Sequence, residues 1–134
     1  MIISESKNEN YVTELSNGNT TVISDVTIDK GGSGNDFSPH DLVCAGYASC
    51  LNITTRMVMQ HMKLKYDKII VNVDLDRSIE GKTTFLYDID IISDISPTIK
   101  EKILKTVSQC PVRKTLSQEI NFKPMNCKST IDKV

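Results

Sequence analysis

The stretch that begins at Ser38 constrains the fold more than any other part of the chain. Ser38-Pro39-His40-Asp41 has the marks of a helix start: a capping side chain, a proline suited to the first helical position, and an acid placed to reach back to the cap. From Leu42 to Ile53 the residues are apolar or small on nearly every side. Only toward Met62 do Arg56, Gln60 and Lys63 give the pattern a solvent face. A helix that is apolar all round is a buried one. A single sheet of the size the remaining residues allow does not cover it. The surplus predicts a homodimer in which the second copy supplies the missing cover.

The rest of the chain reads as strands and shorter helices. Tyr11 to Leu15 and Thr20 to Ile28 flank Asn17-Gly18, a hairpin turn signal. Lys30 to Asp36 is a glycine-rich loop without the GxxxxGK[ST] pattern, so it reads as a connection and not as a phosphate cradle. Lys68 to Ser78 alternates, with Ile69, Val71, Val73 and Leu75 on one face. Glu80-Gly81-Lys82 turns the chain, and Thr83 to Ser93 repeats the pattern with Phe85, Tyr87, Ile89 and Ile91. The two segments predict a half-buried antiparallel hairpin. Ser96-Pro97 opens a second helix with a stripe of Ile99, Ile103, Leu104 and Val107. Cys110-Pro111 breaks it, because proline lacks the backbone donor and restricts the residue before it. A short helix to Gln118 and a strand from Ile120 to Cys127 are expected to follow. The order is ββ-α-ββ-αα-β, an α+β fold with antiparallel sheets packed around a long central helix, read as a single domain over residues 1–134.

Composition narrows the function classes. With 16 basic against 17 acidic residues the net charge is -1, which argues against a nucleic-acid binder. No apolar run reaches the length of a membrane span, and the N-terminal residues do not read as a signal peptide. The expectation is a cytoplasmic protein with neither membrane nor nucleic acid as partner. Its four cysteines, Cys44, Cys50, Cys110 and Cys127, include no CxxC pair, so neither a disulfide scaffold nor a zinc site is indicated.

Two of the cysteines stand out. Cys50 lies mid-helix among Ala45, Gly46, Ala48 and Ser49, small residues that let another group approach closely. It gains nothing from its own helix's N-terminal dipole, so a reactive thiolate there needs another activator, and an inert buried thiol remains the alternative. Cys110 sits at the expected cap of the third helix with Arg113 three residues on, which favours an anionic sulfur there. Cys44 lies about 240° around the helix from Cys50 and points away from it. His40 and His61, the only histidines, are separated by about 30 Å of helix rise and cannot share a metal within one chain.

Ser38 to Leu51, with its proline-led start, small apolar residues and Cys50, resembles the first cysteine motif of the OsmC/Ohr family. Cys110-Pro111-Val112-Arg113-Lys114-Thr115-Leu116 resembles the second motif, and the 60-residue spacing between the cysteines fits. The resemblance covers nearly the whole chain. It implies an intertwined homodimer with active sites at the subunit interface. It also implies a thiol peroxidase that reduces organic hydroperoxides, or hydrogen peroxide, without a metal or organic cofactor. Cys50 would form a sulfenic acid, Cys110 would resolve it as a disulfide, and an external dithiol would reduce that bond. The peroxidase members activate the first cysteine with an arginine from the N-terminal strands and carry a glutamate at the position of His40, or an acidic pair starting there. Here no arginine precedes Arg56, and the pair is His40-Asp41. Lys30 and Arg113, with His40 and Asp41, are the candidate supporting residues. The alternatives are an OsmC-like protein without strong peroxidase activity, binding or sensing a small apolar or thiol ligand at the dimer interface, and a structural protein with inert cysteines.

Overall fold

The computed structural model describes residues 1–125 of the chain. Strands β1 (Ile3–Ser6), β2 (Thr13–Ser16) and β3 (Thr21–Ser24) form an antiparallel sheet in that order. Helix α1 (Pro39–His61) follows a 3-10 turn at Ile28–Lys30. Strands β4 (Lys68–Asp76) and β5 (Thr84–Ile92) form an antiparallel pair, and α2 (Pro97–Val107) and α3 (Pro111–Leu116) complete the described elements.

Three expectations need correction. A strand not foreseen, β1, precedes the first hairpin. All four of its residues are exposed, so it lacks the buried face that would show as alternation. The hairpin strands are shorter than the apolar runs around Asn17-Gly18. Asn17 Oδ1 accepts from the Asn19 and Thr20 amides at 2.9 Å each, which fixes the turn. The Asp25 carboxylate then takes the Val26 and Ser33 amides at 2.7 and 2.8 Å, which ends β3 and ties down the glycine-rich loop. A Cβ at Gly32 would collide with the Val26 carbonyl oxygen, so that loop closes only over glycine. Finally, α3 stops at Leu116 and no strand occupies Ile120 to Met125; Cys127 lies outside the described residues.

The central helix starts as its sequence dictates. Ser38 Oγ accepts the Asp41 amide at 3.2 Å, and the Asp41 carboxylate accepts the Ser38 amide at 2.8 Å, a complete capping box ahead of Pro39. The Phe37 carbonyl accepts from Ser24 Oγ and the Asp25 amide, so this start is pinned to the end of β3. Along α1 the buried residues are Tyr47, Leu51, Thr55 and Met59, a single i, i+4 stripe.

That stripe meets two layers. On β4 and β5 the register pairs Ile69 with Ile91, Val71 with Ile89, Val73 with Tyr87 and Leu75 with Phe85, which aligns the two apolar faces foreseen from the alternation. From α2, Ile103 and Val107 close the core together with Cys110. Each fully buried Leu or Ile here contributes roughly 1.5–3 kcal/mol of transfer free energy. One chain covers only this stripe of α1. Val43, Ile53 and Met57 remain 45%, 41% and 63% exposed, the surplus apolar surface that the sequence pattern implied. No described helix is long and apolar enough to cross a membrane.

Candidate active site

The ends of α2 and α3 bring the two cysteines together. The Cys110 amide donates to the Val107 carbonyl at 3.0 Å, completing the last turn of α2. Pro111 then restarts the chain as α3. Two consequences follow. The Cys110 side chain turns inward until only 1% of the residue is exposed, and the Val112 amide donates to Cys50 Sγ at 3.5 Å. Cys50 packs against the buried cluster that contains Cys110, and both thiols are free. Cys50 is half-buried and also has the Thr54 hydroxyl one turn along α1, with Sγ and Oγ1 4.0 Å apart.

The electrostatics of Cys110 differ from the sequence expectation. Burial pushes its thiol up, and the neighbouring Cys50 adds to that. The Arg113 and Val112 amides pull part of the way back. Desolvation of the anion outweighs those amides at a fully buried sulfur. The cap position therefore does not make Cys110 a low-pKa thiol. The cap amide of Val112 instead serves Cys50, the cysteine that had been denied any such help.

Aromatic side chains close one flank. Tyr47, one turn before Cys50, is 3% exposed and meets Phe85 and Tyr87 edge to face, with ring centroids 5.3 and 5.8 Å apart. Burial pushes the Tyr47 hydroxyl up, with Arg113 acting against it. Arg113 is half-buried and donates Nη1 to the Tyr87 hydroxyl at 3.4 Å. Of the candidate supporting residues, Arg113 alone reaches this neighbourhood, and it engages the tyrosines. Asp41 is committed to the capping box, where the Ser38 amide and hydroxyl hold its carboxyl below the usual range. His40 is exposed beside it. They precede Cys50 by about 14–15 Å of helix rise. Lys30 is exposed at the end of the 3-10 turn and touches neither cysteine among the described contacts.

Cys44 points elsewhere, as its position on the helix requires. It lines a cleft of about 640 Å³ with Asp36, Phe37, Asp41, Val73 and Asp74. Burial pushes its thiol up, and Asp74 and Asp41 add to the effect. Among the described residues no three His, Cys, Asp or Glu side chains cluster closely enough to hold a metal ion. The site residues that sequence reasoning missed are Thr54, Tyr47 and Tyr87. Thr54 and Tyr47 stand at i+4 and i−3 from Cys50, and helical spacing was the signal that pointed to them. Tyr87 had been assigned to the hairpin's apolar face without a polar role.

Residues 32–125, which include both cysteines, match the family model described as OsmC-like protein. No curated protein matches the chain. Several solved structures share the fold at low identity. A Psychrobacter arcticus protein assigned to osmotic stress induction and detoxification response superposes with a TM-score of 0.73 at 19% identity, covering 85% of each chain. An OsmC-like protein from Mycoplasma pneumoniae gives 0.69 at 21% identity, over 87% of this chain and 85% of that one. An organic hydroperoxide resistance protein OsmC from Legionella pneumophila gives 0.64 at 19%, over 87% and 88%.

Proposed function

This chain belongs to the OsmC-like protein family, and from that membership and its paired thiols we propose that it reduces organic hydroperoxides with electrons from an external dithiol. The observation that carries the reading is that the start of α3 brings Cys110 to Cys50: the Val112 amide, two residues after Cys110, lies 3.5 Å from Cys50 Sγ, and Cys50 packs against the cluster that contains Cys110. The Legionella protein of the same fold is itself named an organic hydroperoxide resistance protein.

The chemistry runs in three balanced steps. Cys50 thiolate attacks one peroxide oxygen, forming an S–O bond as the O–O bond breaks, and the departing alkoxide takes a proton to leave as the alcohol. Cys50 is then a sulfenic acid. Cys110 attacks that sulfur, the S–O bond breaks, and the hydroxyl of the sulfenic acid takes the Cys110 proton and leaves as water, which leaves a Cys50–Cys110 disulfide. The external dithiol reduces this bond with two electrons and two protons and becomes a disulfide itself. Hydrogen peroxide can enter the first step in the same way, releasing water. No metal or organic cofactor takes part. The partners are the hydroperoxide, the dithiol and a second copy of the chain covering Val43, Ile53 and Met57. The cytoplasm, where thiols stay reduced, is the fitting compartment.

The test is consumption of cumene hydroperoxide by the reduced protein with a dithiol, wild type against Cys50→Ser. Turnover present in the wild type and lost in Cys50→Ser is expected; equal rates would remove the peroxidase reading. A second reading, an OsmC-like protein that binds or senses a small apolar or thiol ligand, is favoured by one observation: Arg113 donates to Tyr87 and not to a sulfur. Equal rates in that assay would leave this one standing.

A further inference from the structure

The peroxidase reading leaves one question: what holds the Cys50 thiolate when no arginine reaches its sulfur? The helical threonines supply an answer by comparison. A threonine inside a helix ordinarily turns its hydroxyl back to the carbonyl four residues earlier. Thr55 does so to Leu51 at 2.7 Å, Thr106 to Lys102 at 3.1 Å and Thr115 to Pro111 at 3.1 Å. Thr54 does not. Its hydroxyl has one partner among the described residues, the Cys50 sulfur at 4.0 Å. The residue is half-buried, so the hydroxyl gains from any partner the protein offers it.

We propose that Thr54 is a further catalytic residue of this site: its hydroxyl, with the Val112 amide on another side, holds the anionic form of Cys50 Sγ with neutral donors in place of a cationic side chain. The inference rests on the peroxidase reading for its role, not for its geometry. A thiolate has no proton to give, so on ionisation Thr54 must become the donor in the pair. A hydrogen bond to a charged acceptor is shorter and about twice as strong as a neutral one, so the contact tightens as the charge appears. Hydrogen bonds to the charged form favour it. The titratable and charged groups around the thiol pair are Tyr47 on the same helix, Cys110 and Arg113 at the α3 end, and Tyr87 on β5. Asp74 on β4 acts on Cys44. Among the described contacts no cation bonds Cys50, so the two neutral donors carry the task.

The experiment is the pH profile of Cys50 alkylation by iodoacetamide in the reduced full-length protein, read at the Cys50 peptide by mass spectrometry. Thr54→Val keeps the shape and removes the donor. It raises the midpoint by about one pH unit, so alkylation below the midpoint slows ~10-fold. Thr54→Ser restores the wild-type midpoint. Thr55→Val, which loses a carbonyl bond in the same turn, leaves the midpoint in place and serves as the control for a general disturbance of the helix. A Thr54→Val midpoint equal to wild type overturns the proposal, and so does an equal shift in Thr55→Val. The readout uses no peroxide. A shifted midpoint in a protein that fails to turn over cumene hydroperoxide therefore supports Thr54's hold on the sulfur and removes only the peroxidase reading.

Discussion

Each of the three α-helices among the described residues begins with a proline preceded by a side chain that can accept a hydrogen bond, and they use that side chain in two ways. Ser38 and Ser96 cap their own helices, accepting the Asp41 amide at 3.2 Å and the Ile99 amide at 3.3 Å. Cys110 makes no such bond to α3. Cys110 is buried in the cluster that Cys50 packs against, and the Val112 amide donates across to Cys50 Sγ. A serine oxygen is a small, strong acceptor that satisfies the orphan donors of its own helix, whereas a thiol is a weak one. Placing cysteine in the cap position leaves a first-turn donor unclaimed, and a sulfur from another helix takes it. The same local pattern thus builds scaffold at two helix starts and the proposed reaction centre at the third.

Cys110→Ser breaks this contrast most severely. Serine is the preferred occupant of a cap, so α3 is expected to form and the fold to persist. Serine cannot resolve a sulfenic acid. Steady-state hydroperoxide turnover should fall about 100-fold or more, with Cys50 accumulating as the sulfenic acid. Dimedone labelling read at Cys50 checks it: strong labelling in Cys110→Ser and little in the wild type during turnover. If Cys110→Ser turns over at the wild-type rate, Cys110 is a buried cap residue and nothing more.

The scaffold half of the comparison was legible in the sequence, and the reaction-centre half only in part. Ser38, Pro39 and Asp41 announce α1 because capping is local chemistry spread over four residues. The β4–β5 register follows from Ile69, Val71, Val73 and Leu75 facing Ile91, Ile89, Tyr87 and Phe85, since a slip of one residue would expose the whole set. Both cysteine motifs could also be read as a resemblance. The state of Cys110 could not: its cap amides are visible in sequence, but the desolvation that outweighs them depends on packing between residues 60 positions apart. The Val112 donor to Cys50 is hidden for the same reason. β1 escaped because four exposed residues leave no period to detect.

Between the two serine caps a smaller difference is expected. Ser38 takes part in a reciprocal box with Asp41, whereas the residue three after Ser96 is Ile99, which has nothing to return. Loss of a serine cap costs about 1 kcal/mol. Ser38→Ala should cost that and also the hydroxyl's share of the hold on the Asp41 carboxylate, which keeps only the Ser38 amide, lowering Tm by about 4 °C; Ser96→Ala should cost less. Neither change should alter the pH profile of Cys50 alkylation. Thermal unfolding of both variants checks the order, and a Ser96→Ala loss equal to or above that of Ser38→Ala would deny the box any reciprocal gain.

The smallest effect concerns the pH dependence of that box. The Ser38 amide, and then its hydroxyl, hold the Asp41 carboxyl below the ordinary carboxylate range. The folded state therefore binds this proton less readily than the unfolded chain does. The contribution to stability is complete above the unfolded-state pKa of about 4 and fades as pH drops through the lower folded value. Asp41→Asn keeps an acceptor oxygen at the cap without the charge, so its stability carries no such term. The Tm gap between wild type and Asp41→Asn should be largest near about pH 6 and should narrow steadily toward about pH 3. Asp41 is exposed and solvent screens it, so the gap stays within a few degrees throughout. A gap that widens on acidification would reverse the sign and show that the Asp41 carboxylate is not stabilised by the Ser38 amide.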